Sequence, residues 1–374
     1  MFVQNPNTNR YRCLSFLLAG MMAVTSLPLP AFAADAAAGE EIAISAERFP
    51  DEQFRNYISE QLDSDGDNML SATECSEVVD LNVSQQGIAD LTGIDVFSKL
   101  QQLDCSGNTL SALDISGAAQ LLQLNCSANP DLSALKLPEK NGAFSFLVML
   151  DCSDCALTEL SLDSYALLGT LDCSGNQLAA LDVSANSNLQ TVNCSNNQLT
   201  TLNFSQNAKL EEVDCSGNQL TELDVYNALL QKLDCSENAL PSLFLSECSA
   251  LRELDCSQNQ LVELDTTGLT LEILETAGNQ RAIVPQPEQA GAYSYDLNNL
   301  PELEQDRITG WENASVKEDA ANVLQIPADT ERVSYGYRLD SQQAVPVATF
   351  TLTLQPDEAC YLQLNEEHFP DAAF

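Results

Sequence analysis

Leu103-Asp104-Cys105-Ser106-Gly107-Asn108 decides the fold, because it returns along the whole middle of the chain. Its cysteine recurs as Cys105, Cys126, Cys152, Cys173, Cys194, Cys215, Cys235 and Cys256, at spacings of 21, 26, 21, 21, 21, 20 and 21 residues. Val83 and Thr276 hold the cysteine place in degenerate flanking copies, which makes ten copies from about Val78 to about Pro285. A fixed period of this size is the signature of a solenoid. The one long interval carries an insertion around Pro138-Glu139-Lys140-Asn141-Gly142.

Within one copy, Leu100, Leu103, Cys105, Asn108 and Leu110 follow L-x-x-L-x-L-x-x-N-x-L, with Cys in the sixth place. This is the leucine-rich repeat pattern. It predicts a short strand with Leu103 and Cys105 inward and Asp104 and Ser106 outward. The chain then turns at Asn108, and a second extended segment such as Leu181-Asp182-Val183-Ser184 returns on the outer side. One copy cannot bury its apolar face alone, whereas stacked copies share a continuous core. At ~4.8 Å per strand, ten copies span roughly 45 Å. Asn108, Asn129, Asn176, Asn197, Asn218, Asn238, Asn259 and Asn279 form a column at the turn, where an amide can satisfy otherwise buried backbone groups. That role is structural.

The same periodicity explains most of the thirteen cysteines. Eight fill the inward sixth place, where free Cys serves as a small hydrophobe. Cys155 replaces a turn Asn, and Cys248 stands where other copies have Asn186 and Asn207. Only Cys75 and Cys360, besides Cys13 in the leader, have no place in the repeat. Parallel in-register side chains point the same way, which disfavours disulfides along the ladder. Cys152-Ser153-Asp154-Cys155 has the C-x-x-C form, but no second pair or nearby His completes a zinc site.

Charge and the N-terminus set the setting. The 374 residues carry 15 basic and 55 acidic side chains, a net charge of −40. Such a chain has no phosphate-neutralising patch for nucleic acid and is repelled by anionic membranes. Its charged partners are cations and basic surfaces. Arg10 and Arg12, an apolar run from Cys13 to Leu27 and Ala31-Phe32-Ala33 read as a secretory signal ending at residue 33. Its removal takes two positive charges, and −40 − 2 gives −42. The run is shorter than the ~20 residues of a membrane span, so no membrane insertion is expected after cleavage.

In front of the repeats, residues 63–74 read Asp-Ser-Asp-Gly-Asp-Asn-Met-Leu-Ser-Ala-Thr-Glu. Against the EF-hand loop, Asp63, Asp65 and Asp67 supply carboxylates, Met69 its carbonyl, Ser71 a direct or water-mediated oxygen, and Glu74 a bidentate carboxylate. Ca²⁺, a hard cation, takes six to eight such oxygens. Asn68 stands where Gly is usual, and Asn tolerates a left-handed turn better than other residues. A single loop without a partner loop predicts weak, extracellular-range Ca²⁺ binding. Phe54, Tyr57, Ile58 and Leu62 share one face of an incoming helix opened by Pro50-Asp51, and Ser71 to Val79 is the outgoing one.

Beyond Pro285-Gln286-Pro287 the apolar period becomes two. Ala292–Leu297, Asn322–Ile326, the alternation Val333, Tyr335, Tyr337, Leu339, and Phe350, Leu352, Leu354 predict a small antiparallel sandwich. Trp311 suits packing in its core or rim. The final Phe369-Pro370-Asp371-Ala372-Ala373-Phe374 echoes Phe49-Pro50-Asp51-Glu52-Gln53-Phe54, as if a second cap motif begins there and is cut short. The domains expected are 1–33 signal peptide, 34–77 helical cap, 78–285 repeats, 286–356 β-sandwich, and 357–374 linker and truncated second cap.

The L-D-C-S-x-N and L-D-V-S-x-N strings, the F-P-D-x-x-F opening and the D-x-D-x-D loop resemble secreted or surface leucine-rich repeat proteins of Gram-positive bacteria, of internalin-like architecture. The resemblance implies an α/β-type solenoid: a horseshoe with a parallel sheet, an EF-hand-like helical cap and a small C-terminal β-sandwich. It also implies adhesion or protein binding, not catalysis, at the cell surface or outside the cell. The alternatives are a non-catalytic arm of a larger secreted enzyme and a surface-layer spacer. The concave face, read directly, carries Asp104, Asn125, Asp151, Asp172, Asn193, Asp214, Asp234, Asp255 and Glu275 in one column, with Ser106, Ser127, Ser153, Ser174, Ser195, Ser216, Ser236 and Ser257 beside it. Such a column is strained unless cations or a basic partner meet it, so Asp104, Asp151, Asp172, Asp214, Asp234 and Asp255 are the candidate partner-binding residues. The same face results from repeat duplication with solubility as its only use. No Ser–His or Cys–His pair is available, since the only histidine is His368.

Overall fold

Ten three-residue strands form one parallel sheet in the computed structural model: Asp80–Asn82, Gln102–Asp104, Gln123–Asn125, Met149–Asp151, Thr170–Asp172, Thr191–Asn193, Glu212–Asp214, Lys232–Asp234, Glu253–Asp255 and Ile273–Glu275. The structure describes residues 41–138, 145–283, 285–288, 292–318, 320–339 and 347–355. The signal segment, most of the insertion, Cys13, Cys360, His368 and the 369–374 echo lie outside the described residues. The described residues from 41 onward make up a single unit. Neighbouring strands are in exact register with the sequence spacing: Leu103 pairs with Leu81 and Leu124, and Leu171 with Leu150 and Val192.

A three-residue strand has no independent stability. It persists here because its middle residue and the following cysteine are buried: Leu103 is 2% exposed, and Cys105, Cys126, Cys152, Cys173, Cys194, Cys215, Cys235 and Cys256 are all at 0%. Each fully buried Leu contributes about 2 kcal/mol. The eleven described cysteines are thiols, Cys75 and Cys248 included.

The turn column acts as the periodicity predicts. Asn108 donates through Nδ2 to the carbonyls of Val83 (2.8 Å) and Cys105 (2.9 Å), and its Oδ1 accepts from the amides of Gln86 and Ile88. Every Asn of the column thus ties its own rung to the one before it. Cys155, in the Asn place, offers its thiol to the Cys126 carbonyl at 3.4 Å. The Leu132 amide, which an Asn oxygen would otherwise serve, bonds instead to the Asn129 carbonyl. A second ladder runs along the return segments. Asn207 Nδ2 reaches the Val183 and Asn186 carbonyls, Asn227 Nδ2 the Asn207 carbonyl, and the Cys248 thiol the Val225 carbonyl at 3.2 Å.

One device was not legible in the pattern. The residue just before each turn position, held by Asn in eight copies, by Gln86 in the first and by Cys155 in the fourth, has a positive φ: Gln85, Gly107, Ala128, Asp154, Gly175, Asn196, Gly217, Glu237, Gln258 and Gly278. Six of these ten are not glycine, so stacking holds a left-handed conformation that would cost about 1 kcal/mol or more per residue in isolation. The α-helices among the described residues lie in the cap. Among the described residues, the connections between sheet strands hold only one 3₁₀ turn, Ile94–Val96, and two parallel strand pairs, Ala112–Asp114 with Ala134–Lys136 and Thr201–Asn203 with Glu222–Asp224. The Leu181–Ser184 segment forms no β-strand and is held instead through the Asn207 bond to the Val183 carbonyl.

At the N-terminal end, α1 (Glu52–Gln61) and α2 (Ala72–Glu77) form the cap. Asp51 caps α1 by accepting from the Phe54 amide with Oδ1, and its Oδ2 accepts from the Ala89 and Asp90 amides of the first repeat. Gly93, at φ 103°, lies against Phe49; a β-carbon there would stand 2.4 Å from the Phe49 ring and 2.7 Å from the Arg48 carbonyl.

The C-terminal part contains two four-stranded sheets. One holds Tyr293–Asp296 and Ala320–Ile326 between Gln286–Pro287 and Ser315–Lys317. The other orders Gln280–Ile283, Val347–Leu354, Arg332–Arg338 and Ile308–Glu312. The antiparallel expectation needs correction here. Gln280–Ile283, counted with the repeats on spacing, pairs in parallel with Thr351–Leu354, so the last repeat feeds its chain directly into the second sheet. Val333, Tyr335, Tyr337, Phe350 and Leu352 are buried as the alternation required. Trp311 packs its ring 4.9 Å from that of Tyr335.

Candidate functional site

The strand face brings the predicted acidic column into line. Cα register runs Asp104–Asn125–Asp151–Asp172–Asn193–Asp214–Asp234–Asp255–Glu275. The serines beside it are not an independent feature. Asp104 Oδ1 accepts from the Ser106 amide (3.0 Å) and hydroxyl (2.6 Å), and Asp151, Asp172, Asp214 and Asp234 do the same with Ser153, Ser174, Ser216 and Ser236. Each pair is a local turn that commits one carboxylate oxygen and leaves Oδ2 as the available acceptor, except at Asp172, whose Oδ2 also accepts from Asn193. This spacing of Asp and Ser two apart was in the sequence, and it is the signal that could have revealed the turn.

The column is uneven. Asp151 is 5% exposed and sits next to Asp172 on the adjoining rung. Burial pushes both carboxyls up, and the Asp151 charge helps carry Asp172 to about 6. Asn193 Nδ2 donates to Asp172 Oδ2 at 3.1 Å and partly compensates. Asn193 therefore separates two acidic groups, Asp151–Asp172 and Asp214–Asp234–Asp255, and Asn125 sets Asp104 apart from the first. Burial, then the Asp214 charge, raises Asp234 too. Cations are scarce on this side: Lys232 meets Glu253 at 3.7 Å and Arg252 meets Glu272 at 2.8 Å.

The loop at 63–74 takes the shape the motif requires. One carboxylate oxygen from each of Asp63, Asp65 and Asp67 lies within 4.8 Å of the others. Asn68 has φ 63°, the left-handed position expected of it. Asp63 organises the loop by accepting from the Gly66, Asp67 and Asn68 amides. The Asp67 charge raises the Asp65 carboxyl, as expected of carboxylates gathered without a counter-charge. Met69 and Leu70 form a short strand that pairs antiparallel with Ile42–Ala43, so this single loop gains a strand partner from the residues before the cap.

Glu74 stands apart from the three aspartates. Its Oε1 accepts from the Ser64 amide and hydroxyl, both at 2.7 Å, and its Oε2 from the Ser71 amide and hydroxyl, both at 2.9 Å. Ser71 is at once the N-cap of α2 and the ninth loop position. These four donors hold Glu74 down to about 2. The three aspartates gather an all-oxygen set of the kind a hard divalent cation takes, whereas both Glu74 oxygens are engaged by Ser64 and Ser71, so the structure does not bring Glu74 into that cluster.

The fold defines the class: a parallel-strand solenoid built on leucine-rich repeats. The family description "Leucine Rich repeats (2 copies)" matches residues 187–228. Among solved structures the chain is similar to InlP of Listeria monocytogenes, at 16% identity over 85% of this chain and 99% of that one, with a TM-score of 0.51. It also aligns with the functional domain of InlJ from Listeria monocytogenes, which includes a cysteine ladder, at 19% identity over 85% and 99% with a TM-score of 0.47. Internalin C2 of the same species aligns at 18% over 64% and 99%, with a TM-score of 0.47. No curated protein sequence matches the chain. Among the described residues no helix is long and apolar enough to cross a membrane.

Proposed function

We propose that this is an exported, non-catalytic contact protein whose acidic strand face docks a basic protein surface. The observation that carries this reading is the register of the column: Asp214, Asp234 and Asp255 stand on successive rungs, each with one oxygen held by local donors. Such prepositioned acceptors suit lysine and arginine side chains and cost little ordering on binding. The thiols do not suit nucleophilic work, because burial pushes Cys155 up to about 11 and Cys256 up to about 12. The carboxylates lie along a sheet rather than converging in a cleft.

In the same reading the N-terminal loop binds one Ca²⁺ and stabilises the cap. Asp63, Asp65, Asp67, the Met69 carbonyl, Ser71 and Glu74 would hold it, and the ion would supply the positive charge the three aspartates lack. The docking reading is tested by titrating the protein with oligolysine at several salt concentrations. Wild type should show a steep loss of affinity with salt, and D172N/D214N/D234N a weaker affinity with a flatter slope. Parallel slopes would place the contact elsewhere.

A further inference from the structure

The return side of the solenoid departs from its own repeat at the lone exposed Leu167 and, as a group, around residues 224–246. The outward column Asp182, Asn203, Asp224 continues as Phe244 before returning to Asp265. Ser184 and Ser205 are followed by Tyr226, and Asn188 and Lys209 by Leu229. These three replacements fall where the repeat shortens, in the 20-residue interval between Cys215 and Cys235 and just after it. Tyr226 is 53% exposed, Leu229 51% and Phe244 64%, so none of them has been recruited into the core. They lie on adjoining rungs, since the Cys248 thiol reaches the Val225 carbonyl at 3.2 Å. Repeat duplication does not produce large apolar side chains at positions that are polar in neighbouring copies. Exposed apolar residues grouped in this way mark contact surfaces.

The surroundings choose the partner. Glu222 and Asp224 lie four and two residues before Tyr226 and Glu247 three after Phe244, with Glu222 and Glu247 exposed. The nearest cation in the same columns, Lys209, is engaged with Asn188 Oδ1. A second copy of this chain would bring the same acids face to face at a net charge of −40 per molecule, and an anionic membrane would be repelled as well. A basic segment with apolar side chains meets both the rim and the centre. We infer that Tyr226, Leu229 and Phe244 form a second docking surface, on the return side, for a protein segment that presents apolar side chains between lysines or arginines.

The test compares two probes: a short peptide of alternating Lys and Leu bearing one photo-reactive leucine, and oligolysine of the same charge. Wild type should bind the Lys–Leu peptide at least about fivefold more tightly than oligolysine. Cross-links should fall within residues 222–250. Y226S/L229S/F244S should lose that preference while still binding oligolysine, and D172N/D214N/D234N should keep it. An unchanged preference in the return-side variant, or cross-links confined to other segments, would overturn the inference. The replaced side chains are more than half exposed, so the variant should melt with wild type. If it does not, the cross-link positions on wild type decide alone.

Discussion

The middle rungs and the two ends of this solenoid are held by different kinds of contact. In the middle, the same bonds are made again at every step: Asn176 serves the Cys152 and Cys173 carbonyls and the Leu157 amide just as Asn197 serves Cys173, Cys194 and Leu178. At the ends each contact occurs once. The C-terminal part is joined to the last repeat by Arg307, which is 3% exposed. Arg307 donates to the Arg338 and Leu339 carbonyls and to Asp265, with its guanidinium 5.1 Å over the Tyr337 ring. Tyr335 Oη donates to the Val262 carbonyl and Tyr337 Oη to Glu263. The N-terminal cap relies on Asp51, Gly93 and a loop of unneutralised carboxylates. A repeated bond has neighbours to share a defect, whereas a unique one does not, so damage should spread differently in the two regions.

Asn176→Ala should have the largest effect. It strands two buried carbonyls and a buried amide, at a cost of about 4 kcal/mol in global stability. Chemical denaturation should show it as one cooperative shift, because the flanking rungs lose their shared ladder. Two separate transitions would mean that the rungs are less coupled than the bonding implies. Arg307→Ala comes next, at about 3 kcal/mol, since it leaves buried carbonyls unpaired and removes the charge facing Asp265. Here hydrogen exchange should rise across residues 308–339 while peptides from the middle rungs stay protected.

The acidic column sharpens the comparison through pH. Asp172 titrates near 6 in the folded chain against about 3.9 unfolded, so the native state binds more protons between those values. Stability contributed by its protonation is present below the unfolded value and is lost as pH rises through 6. The groups facing it are Asp151, Asn193 and Ser174. The middle should therefore gain stability on moving from pH 7 to pH 5, and Asp172→Asn should abolish much of that gain while adding about 1–2 kcal/mol at pH 7. Glu74 at the N-terminal end has the opposite sign. With its carboxyl held at about 2, its contribution is present above the unfolded value and is lost as pH falls through 2. A wild-type curve that falls steadily from pH 7 to 5 would contradict the assignment to Asp172.

Calcium gives the smallest effect, confined to the N-terminal end. An ion at ten times its dissociation constant adds about 1.4 kcal/mol. Asp65→Asn is the informative change, because Asp65 accepts only the 3.3 Å bond from the Asp67 amide. It should remove the calcium-dependent rise in melting temperature and leave the calcium-free melt in place. Glu74→Gln should lower both, since it also breaks the bonds to Ser64 and Ser71. A melt insensitive to millimolar Ca²⁺ would show that the loop does not bind it.

What was readable from sequence follows the same division. Leu103, Cys105 and Asn108 specify their environment within eleven residues, and their recurrence specifies the stacking, so the sheet and its register could be read directly. The left-handed column could not, because Ala128, Glu237 and Gln258 adopt that conformation only under constraint from the neighbouring rungs. The parallel pairing of Gln280–Ile283 with Thr351–Leu354 joins segments about 70 residues apart and depends on no local period. The strand partner Ile42–Ala43 is only two residues long, too short to signal itself. At the strand face the aspartates were legible as a column. Their unequal burial was not, since the rungs that flank Asp151 and Asp172 set it, not their own sequence.

The most direct test of the central claim is carboxyl footprinting of the bound complex. Carbodiimide-driven coupling of glycine ethyl ester to the protein, with and without saturating oligolysine, measures which aspartates the basic partner covers. Docking on the strand face predicts protection of Asp214, Asp234 and Asp255, with the return-side Asp182 and Asp224 labelled as in the free protein. Unchanged labelling along the strand column, with protection of the return side alone, would contradict it.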